Sequence, residues 1–217
     1  MNNFKIAIDG PAGSGKSTIS KKLANILNFN HLDTGAMYRC VTLEALNLKI
    51  DILNEKEYTF LDDLKIEFKD NKIYLNNKDV TKDIRNNEVN KYVSIVSSFK
   101  IVRDKMTQLQ RKIAKNGNII LDGRDIGSNV LPNANLKIFL TADIKERSKR
   151  RYRENIENGI YSSLDEIENQ IIERDYIDSN RNITPLIKAE DAILIDTTNL
   201  SIDEVINKIL LLVEERM

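Results

Sequence analysis

Residues 5–18 of the chain read KIAIDGPAGSGKST, and this stretch decides the fold. An apolar run that is typical of a buried parallel strand ends at Asp9, and an amphipathic pattern that is typical of a helix begins at Ser17. The glycine-rich turn between them fills the pattern G-x-x-x-x-G-K-S with Gly10, Gly15, Lys16 and Ser17. A strand, a glycine-rich turn and a helix in this order predict a phosphate-binding loop.

Each residue type in this loop has a physical reason to be there. Glycines allow positive φ, so that successive backbone N–H groups point at an anion, and the helix N-terminus adds partial positive charge. Lys16 can reach the β and γ phosphates of a nucleotide as a mobile point charge. The Ser17 hydroxyl can hold Mg²⁺, which prefers oxygen ligands. We therefore expect ATP and Mg²⁺ to bind here.

Composition gives no support for several other classes of partner. The 217 residues contain 33 Lys plus Arg and 33 Asp plus Glu, so the net charge of zero favours neither a nucleic acid nor a membrane surface. The single cysteine, Cys40, excludes an internal disulfide framework and is interpreted as a buried small apolar residue. Without a signal peptide or a spanning apolar run, a cytoplasmic protein is expected. His31, which has no partners at metal-ligand spacing, is interpreted as structural.

Four further apolar runs alternate with helical patterns, at 29–32, 118–122, 136–140 and 192–196. Together with the first strand they predict an α/β fold with a five-stranded parallel sheet flanked by helices. The chain departs from this alternation once. Short alternating runs on either side of Asp70-Asn71-Lys72 predict a hairpin, which fits a small insert on the main sheet.

Charged residues follow the predicted strand ends, where ligands gather in open parallel sheets. Asp122 ends an apolar strand and is placed to act as a Walker-B-type acid in the second shell of Mg²⁺. Arg124 and Asp125 follow it and face the same crevice. Arg39 lies early in the helix after the second strand, which favours an anion-binding role.

Two later helices carry more arginine. Arg147 and Arg151 share one face at i and i+4. Arg174, Asp178 and Arg181 form one polar stripe on the next helix. Two arginines around an aspartate can be an internal salt-bridge ladder, and they can equally hold a ribose and a phosphate.

This supply of arginine favours phosphoryl transfer between two anionic substrates, because cations must hold both and neutralise the transferring group. A phosphate monoester acceptor needs no catalytic base, since its second pKa is ~6. The absence of an N-K-x-D motif argues against a GTPase. The alternatives are a kinase for another nucleoside monophosphate, a kinase for a small hydroxyl acceptor with Asp33 as its base, and a nucleotide-binding regulatory module without turnover.

The sequence also resembles the bacterial cytidylate kinases over essentially the full chain. The resemblance is carried by IDGPAGSGKST at 8–18, LDTGAMYR at 32–39, DGRDIG at 122–127 and ERDYIDSNR at 173–181. It implies a P-loop fold of the nucleoside monophosphate kinase type in a single domain, with a core of 1–49, 100–142 and 182–217. It further implies a monophosphate-binding insert at about 50–99 and a helical lid at about 143–181.

The activity that the resemblance implies is transfer of the γ-phosphate of ATP to CMP or dCMP, in pyrimidine nucleotide metabolism, by a monomer. The residues implied in transfer itself are Lys16, Asp122 and the lid arginines Arg147 and Arg151, with Ser17 on Mg²⁺. Those implied to bind the ATP phosphates are Gly10, Pro11, Ala12, Gly13, Ser14, Gly15, Lys16, Ser17 and Thr18. Those implied to bind CMP are Thr34, Arg39, Arg124 and Arg181 at its phosphate, Ser94, Arg103 and Asp125 at its base, and Arg174 and Asp178 at its ribose.

Overall fold

The computed structural model describes residues 3–69, 72–157 and 159–217. The chain divides into two compact units. The first unit comprises the described residues of Met1–His31 and Ala114–Met217, and the second comprises those of Leu32–Ile113. No helix of the described residues is both long and apolar enough to cross a membrane.

The first unit is built on a five-stranded sheet, as the sequence predicts. Its strands are β1 (Lys5–Asp9), β2 (Asn30–Asp33), β6 (Ile119–Gly123), β7 (Leu136–Thr141) and β8 (Ile193–Asp196). The strand order is β2-β6-β1-β7-β8, and β1 pairs in parallel with both β6 and β7. The strand β8 pairs in parallel with β7 at the edge. Although β2 belongs to this sheet, its last two residues fall in the second unit.

The core of this unit explains why β1 is apolar along its whole length. Ile6 and Ile8 are fully buried and pack into one apolar cluster with Leu23 of helix α1 (Lys16–Leu27) and Ile209 of helix α7 (Ile202–Glu214). Burying side chains of this size contributes about 1.5–3 kcal/mol each. The cluster fixes β1 and α1 on either side of the glycine-rich turn, so the turn is held at both ends.

Two packed helices complete the first unit. These are α5 (Ile144–Glu157) and α6 (Leu164–Asn180). Ser163 caps α6 because its side chain accepts from the N–H of Glu166, whose carboxylate in turn accepts from the N–H of Ser163. The same reciprocal box opens α7. Helix α6 ends at Asn180 with Arg181 as its C-cap, so the predicted polar stripe lies on the last turns of the helix and at this cap.

The second unit contains three helices and a small antiparallel sheet. The helices are α2 (Thr34–Leu48), α3 (Asn87–Val96) and α4 (Lys100–Ile113), and the strands are β3 (Ile66–Lys69), β4 (Lys72–Leu75) and β5 (Lys78–Asp79). The predicted hairpin is therefore confirmed, with β5 as an additional strand on β4. The predicted turn residues Asp70 and Asn71 lie outside the described residues. Short 3₁₀ segments at Glu55–Asp62, broken at Tyr58, and Asp83–Arg85 connect these elements.

Helix α2 packs against α3 and α4 within this unit. Asp33 caps α2, because its side chain accepts from the N–H of Ala36 at 3.0 Å. Cys40 is fully buried in α2 as predicted, and burial, with smaller contributions from Asp33 and Glu44, raises the pKa of its thiol to about 12. This cysteine is therefore a packing residue.

Candidate active site

The glycine-rich loop adopts the backbone that the motif requires. Gly10 has φ +150°, and a Cβ built there would lie 2.0 Å from the carbonyl oxygen of Leu140, so only glycine fits. Gly15 has φ +89° and immediately precedes α1. Since the left-handed region strains other residues, both positions depend on glycine. The free N–H groups of the first turn of α1 follow directly, which is the arrangement that binds phosphate.

Lys16 is folded back onto this loop and is buried. Its Nζ donates to the carbonyl oxygen of Pro11 at 2.6 Å and to Ser14 Oγ at 3.2 Å. Burial lowers the pKa of Lys16 well below its usual range, and the charge of Arg124 lowers it further. A bound phosphate would supply the opposite charge that favours the ammonium form. Lys16 therefore lies where its ammonium group can contact an anion bound in the loop.

Ser17 and Asp122 are brought together by the register of the sheet. Asp122 lies opposite Ile8 in the pairing of β6 with β1, so it stands beside the start of the loop. Ser17 Oγ donates to Asp122 Oδ2 at 2.6 Å. The other oxygen, Oδ1, lies 2.6 Å from Nε2 of His31, which is the second residue of β2. Asp122 is 2% exposed, so these partners hold a buried carboxylate.

Asp9 connects the loop to the turn that follows β6 through hydrogen bonds. It is the last residue of β1, and its two carboxylate oxygens accept from the N–H groups of Ile126 and Gly127 at 2.8 and 2.7 Å. Burial nevertheless raises the pKa of Asp9 to about 6, with a smaller contribution from the charge of Asp125. The turn that carries Asp125 is thereby fixed to the residue next to Gly10.

Arg147 contacts the loop itself. Its guanidinium donates to the carbonyl oxygens of Ala142 at 2.9 Å and Ala12 at 3.0 Å, and also to Asp175. Asp175 accepts in turn from the N–H of Ala12 at 3.2 Å. These two side chains, from α5 and α6, therefore hold one residue of the loop at both its N–H and its C=O. Arg151 is more exposed and pairs within α5 with Glu154 at 3.0 Å.

Five predicted residues form one cluster of charges in the first unit. Arg124 Nε donates to Asp178 Oδ2 at 2.8 Å, while Arg174 and Arg181 approach Asp178 at 4.0 and 3.8 Å. Arg181 also lies 3.5 Å from Asp125. The salt-bridge ladder is present, and the three arginines exceed the two aspartates by one positive charge.

The electrostatics of this cluster favour an anionic ligand. Burial, with a smaller contribution from the charge of Arg124, lowers the pKa of Arg174 to about 10. Burial alone would raise the pKa of Asp178, but the three arginines outweigh it and hold that pKa below its usual value. Within the described ranges, the buried Nε of Arg174 makes no hydrogen bond. Such an atom is costly unless a ligand or water satisfies it.

The remaining predicted residues lie in the second unit. Thr34 is buried as the first residue of α2. Arg39, one turn further, donates to Asn90 Oδ1 on α3 and to the carbonyl oxygen of Ile84 at 3.3 Å. A buried arginine is thus held where α2 packs on α3.

Arg103 is 2% exposed, although arginine is rarely buried so fully. It donates to the carbonyl oxygen of Ser97 at 3.0 Å, and its guanidinium lies 5.4 Å from the centre of the Tyr38 ring. A cation over an aromatic face at this distance is stabilising. Ser94 is buried in α3, and its carbonyl oxygen accepts from Ser97 Oγ at 2.9 Å. Ser97 therefore connects these two residues.

Sequence reasoning missed three residues that hold this site. The sequence marks His31 only as structural and gives no role to Asp9 or Asp175. In the structure Asp175 contacts the loop at Ala12, His31 contacts Asp122, and Asp9 accepts from the N–H of Ile126. A buried acid at the end of β1 was the only signal available for Asp9. The partners of Asp175 and His31 lie 163 and 91 residues away in the chain, so no local pattern marks them.

The fold and the loop define a P-loop nucleotide-binding protein. Shikimate kinase from Bacteroides thetaiotaomicron has the same fold, with a TM-score of 0.53 and 13% identity, covering 99% of each chain. Shikimate kinase from Acinetobacter baumannii in complex with shikimate is similar, with a TM-score of 0.51 and 16% identity, covering 97% of this chain and 93% of that one.

The chain belongs to the cytidylate kinase family, whose model matches residues 6–215. It is 49% identical to cytidylate kinase from Acholeplasma laidlawii over 99% of this chain and 96% of that protein. It is 51% identical to cytidylate kinase from Aster yellows witches'-broom phytoplasma over 100% of this chain and 98% of that protein. The resemblance in the sequence motifs is therefore confirmed.

Proposed function

We propose that the protein transfers the γ-phosphate of ATP to CMP or dCMP, giving ADP and CDP or dCDP. The observation that carries this proposal is the coexistence of the phosphate loop with the arginine and aspartate cluster around Asp178. Membership of the cytidylate kinase family supports the same conclusion. A loop of this kind binds the donor, and the cluster offers the cations that a second phosphate requires.

On the donor side, the residues from Gly10 to Thr18 bind the ATP phosphates through backbone N–H groups and the helix N-terminus. Lys16 leaves Pro11 and Ser14 and moves to the phosphates, where its ammonium neutralises charge that develops during transfer. The side chain is already confined near the loop, so this movement needs only a change of its own rotamers. Its lowered pKa recovers once a phosphate is near.

The oxygen atoms of Ser17 and Asp122 are also suitable for Mg²⁺. Ser17 Oγ and the Asp122 carboxylate provide oxygen atoms at one place, 2.6 Å apart, and Mg²⁺ needs few protein ligands because it keeps waters and substrate phosphates. In this proposal Ser17 binds the ion and Asp122 orients that hydroxyl and the metal's waters. When bound, the ion neutralises phosphate charge and fixes the donor.

On the acceptor side, Arg124 and Arg181 bind the phosphate of CMP, while Arg174 and Asp178 bind its ribose. Two features support these roles: the excess positive charge of the cluster, and the Nε of Arg174, which makes no hydrogen bond within the described residues. Because a phosphate monoester is largely ionised near neutral pH, its own oxygen can attack without a protein base. Asp33, the base candidate for a hydroxyl acceptor, instead caps α2.

We assign the reading of cytosine to Asp125, Arg103 and Ser94. A carboxylate can accept from the N4 amine, and an arginine can donate to the carbonyl and ring nitrogen of the base. Asp125 is held for this by Asn129 at 3.0 Å and by Arg181. Thr34 and Arg39 are assigned to the phosphate of CMP.

We assign Arg147 and Arg151 to a lid that is formed by residues from about 143 to 181. This lid closes on the γ-phosphate and excludes water. For Arg147 this role requires exchanging Ala12 and Asp175 for phosphate oxygens. Arg151 is already partly exposed, and its pairing with Glu154 is a weak one within a helix. A cytoplasmic monomer, acting in pyrimidine nucleotide metabolism, remains the prediction for the protein as a whole.

The test is ADP release from purified protein with Mg-ATP, with CMP, dCMP, UMP, AMP, GMP and shikimate offered in parallel. The proposal predicts the highest turnover with CMP and dCMP. Highest turnover with another monophosphate would overturn the assignment of Asp125, Arg103 and Ser94. ATP binding without transfer to any acceptor would show a regulatory module instead.

A further inference from the structure

His31 is the one histidine of the sequence, and it lies against the acid beside the phosphate loop. Its Nε2 is 2.6 Å from Asp122 Oδ1. A carboxylate oxygen accepts hydrogen bonds, so the ring N–H donates here. The His31 side chain is 19% exposed and the Asp122 side chain 3%, so the bond lies at the edge of the buried region. The contact joins β2 to β6, which are neighbours in the sheet.

The same carboxylate uses its second oxygen for Ser17, also at 2.6 Å. Both oxygens of Asp122 are therefore engaged by side chains, one from β2 and one from the first turn of α1. The torsion that turns an aspartate carboxylate is broad when nothing holds it. A partner on Oδ1 restricts that rotation and keeps Oδ2 directed at the Ser17 hydroxyl.

We infer that His31 is a positioning residue for the part of the site that is proposed to bind Mg²⁺. It acts through Asp122 to orient the Ser17 hydroxyl, and it thereby strengthens binding of the magnesium–nucleotide complex relative to the nucleotide alone. This inference rests on the proposed function, in which Ser17 binds Mg²⁺. Outer partners of this kind typically change metal affinity or activity by about 10–100-fold when they are removed.

A residue that only stabilised β2 would behave differently. Its loss would weaken nucleotide binding equally with and without Mg²⁺, because the whole loop would be disturbed. Loss of a positioning residue weakens nucleotide binding in the presence of Mg²⁺ and leaves nucleotide binding without Mg²⁺ unchanged. The ratio of the two affinities therefore separates the two roles.

The experiment is titration of ADP into the purified full chain by calorimetry, once with excess Mg²⁺ and once with EDTA. His31→Phe and His31→Leu remove the ring N–H that donates to Asp122. Two such variants are used so that the test still works if one of them does not fold. His31→Gln places an amide N–H near the position of Nε2 and serves as the rescue. Asn30→Ala is the matched control, since Asn30 is the exposed neighbour on the same strand.

We expect the gain in ADP affinity from Mg²⁺ to fall about tenfold in His31→Phe and His31→Leu. Metal-free ADP affinity should stay within about twofold of wild type in every variant, and His31→Gln and Asn30→Ala should retain most of the gain. The inference would be overturned if Mg²⁺ increased the ADP affinity of His31→Phe and His31→Leu as much as it does in wild type. It would also be overturned if both variants lost ADP affinity equally with and without Mg²⁺. Because ADP binding needs neither CMP nor transfer, failure of CMP phosphorylation would contradict the proposed function and leave this comparison valid.

Discussion

The carboxylate of Asp175 accepts a hydrogen bond from the backbone N–H of Ala12, at 3.2 Å. Ala12 lies within the phosphate loop, whereas Asp175 lies on α6. Arg147 of α5 donates to Asp175 and to the carbonyl oxygen of Ala12. The loop is therefore connected to both helices of the predicted lid at a single residue, and this connection can be tested through stability.

Replacing Asp175 by Asn should destabilise the protein by about 2 kcal/mol, because largely buried Arg147 loses its charged partner while the amide can still accept from Ala12. Urea unfolding measures the change. Glu154→Gln is the control, since it removes the partner of the more exposed Arg151 and should cost less than about 0.5 kcal/mol. Equal effects of the two changes would contradict the proposed importance of the Arg147–Asp175 ion pair.

Replacing Lys16 by Met should reduce phosphate transfer by about 10²–10³-fold without loss of stability. The buried ammonium is disfavoured in the folded protein, as its lowered pKa indicates, so an apolar side chain of similar length removes an electrostatic cost. Turnover assays and urea unfolding of the same preparation give both quantities. Retained turnover would refute the assignment of the loop, and loss of the fold would refute the account of the buried charge.

Replacing Asp125 by Ala should raise the KM for CMP by about 10–100-fold and leave the KM for ATP within about twofold. The reason is that a hydrogen bond to a charged group contributes about 1.5–3 kcal/mol, and in the proposed assignment only CMP makes this one. Steady-state kinetics with each substrate varied in turn measure the two constants. Asn129→Ala, which removes one partner of Asp125, should give a smaller effect of the same kind. Similar increases for CMP and ATP would count against the role in base reading.

Asp9 should make stability depend on pH in a defined direction. Its pKa is about 6 in the folded protein and 3.8 ordinarily, so the folded state binds this proton more tightly. The resulting stabilisation is fully present below pH 3.8 and is lost as the pH rises through about 6. Its size is at most roughly 3 kcal/mol.

The comparison of wild type with Asp9→Asn isolates this group, because other titrations cancel in the difference. Urea unfolding at several pH values between 4 and 8 should show the advantage of wild type growing as the pH falls. A difference that is independent of pH would show that Asp9 titrates at its ordinary pKa.

The sequence predicts the five strands well because their signals are local. An apolar run that ends in an acid, as at Asp9 and Asp122, marks a buried parallel strand by itself. The Ser163 and Ser201 capping boxes were predictable because all their partners lie within three residues.

The site was predictable only where a motif fixes it. The loop residues and the pairing of Ser17 with Asp122 follow from a strand, a turn and a second acidic strand. The contact of His31 with Asp122 depends instead on β2 lying next to β6, which no local pattern encodes. Arg147 shows the same limit, because its helical position predicts a basic face and not a bond to Ala12.

In the proposed reaction one phosphate passes from ATP to CMP on this chain. The most direct measurement is ³¹P NMR of ATP, CMP and Mg²⁺ with the purified protein, with the Lys16→Met variant run in parallel. We expect CDP and ADP to appear in equal amounts with wild type and far more slowly with the variant. Formation of ADP with inorganic phosphate and no CDP, or equal rates with both proteins, would contradict it.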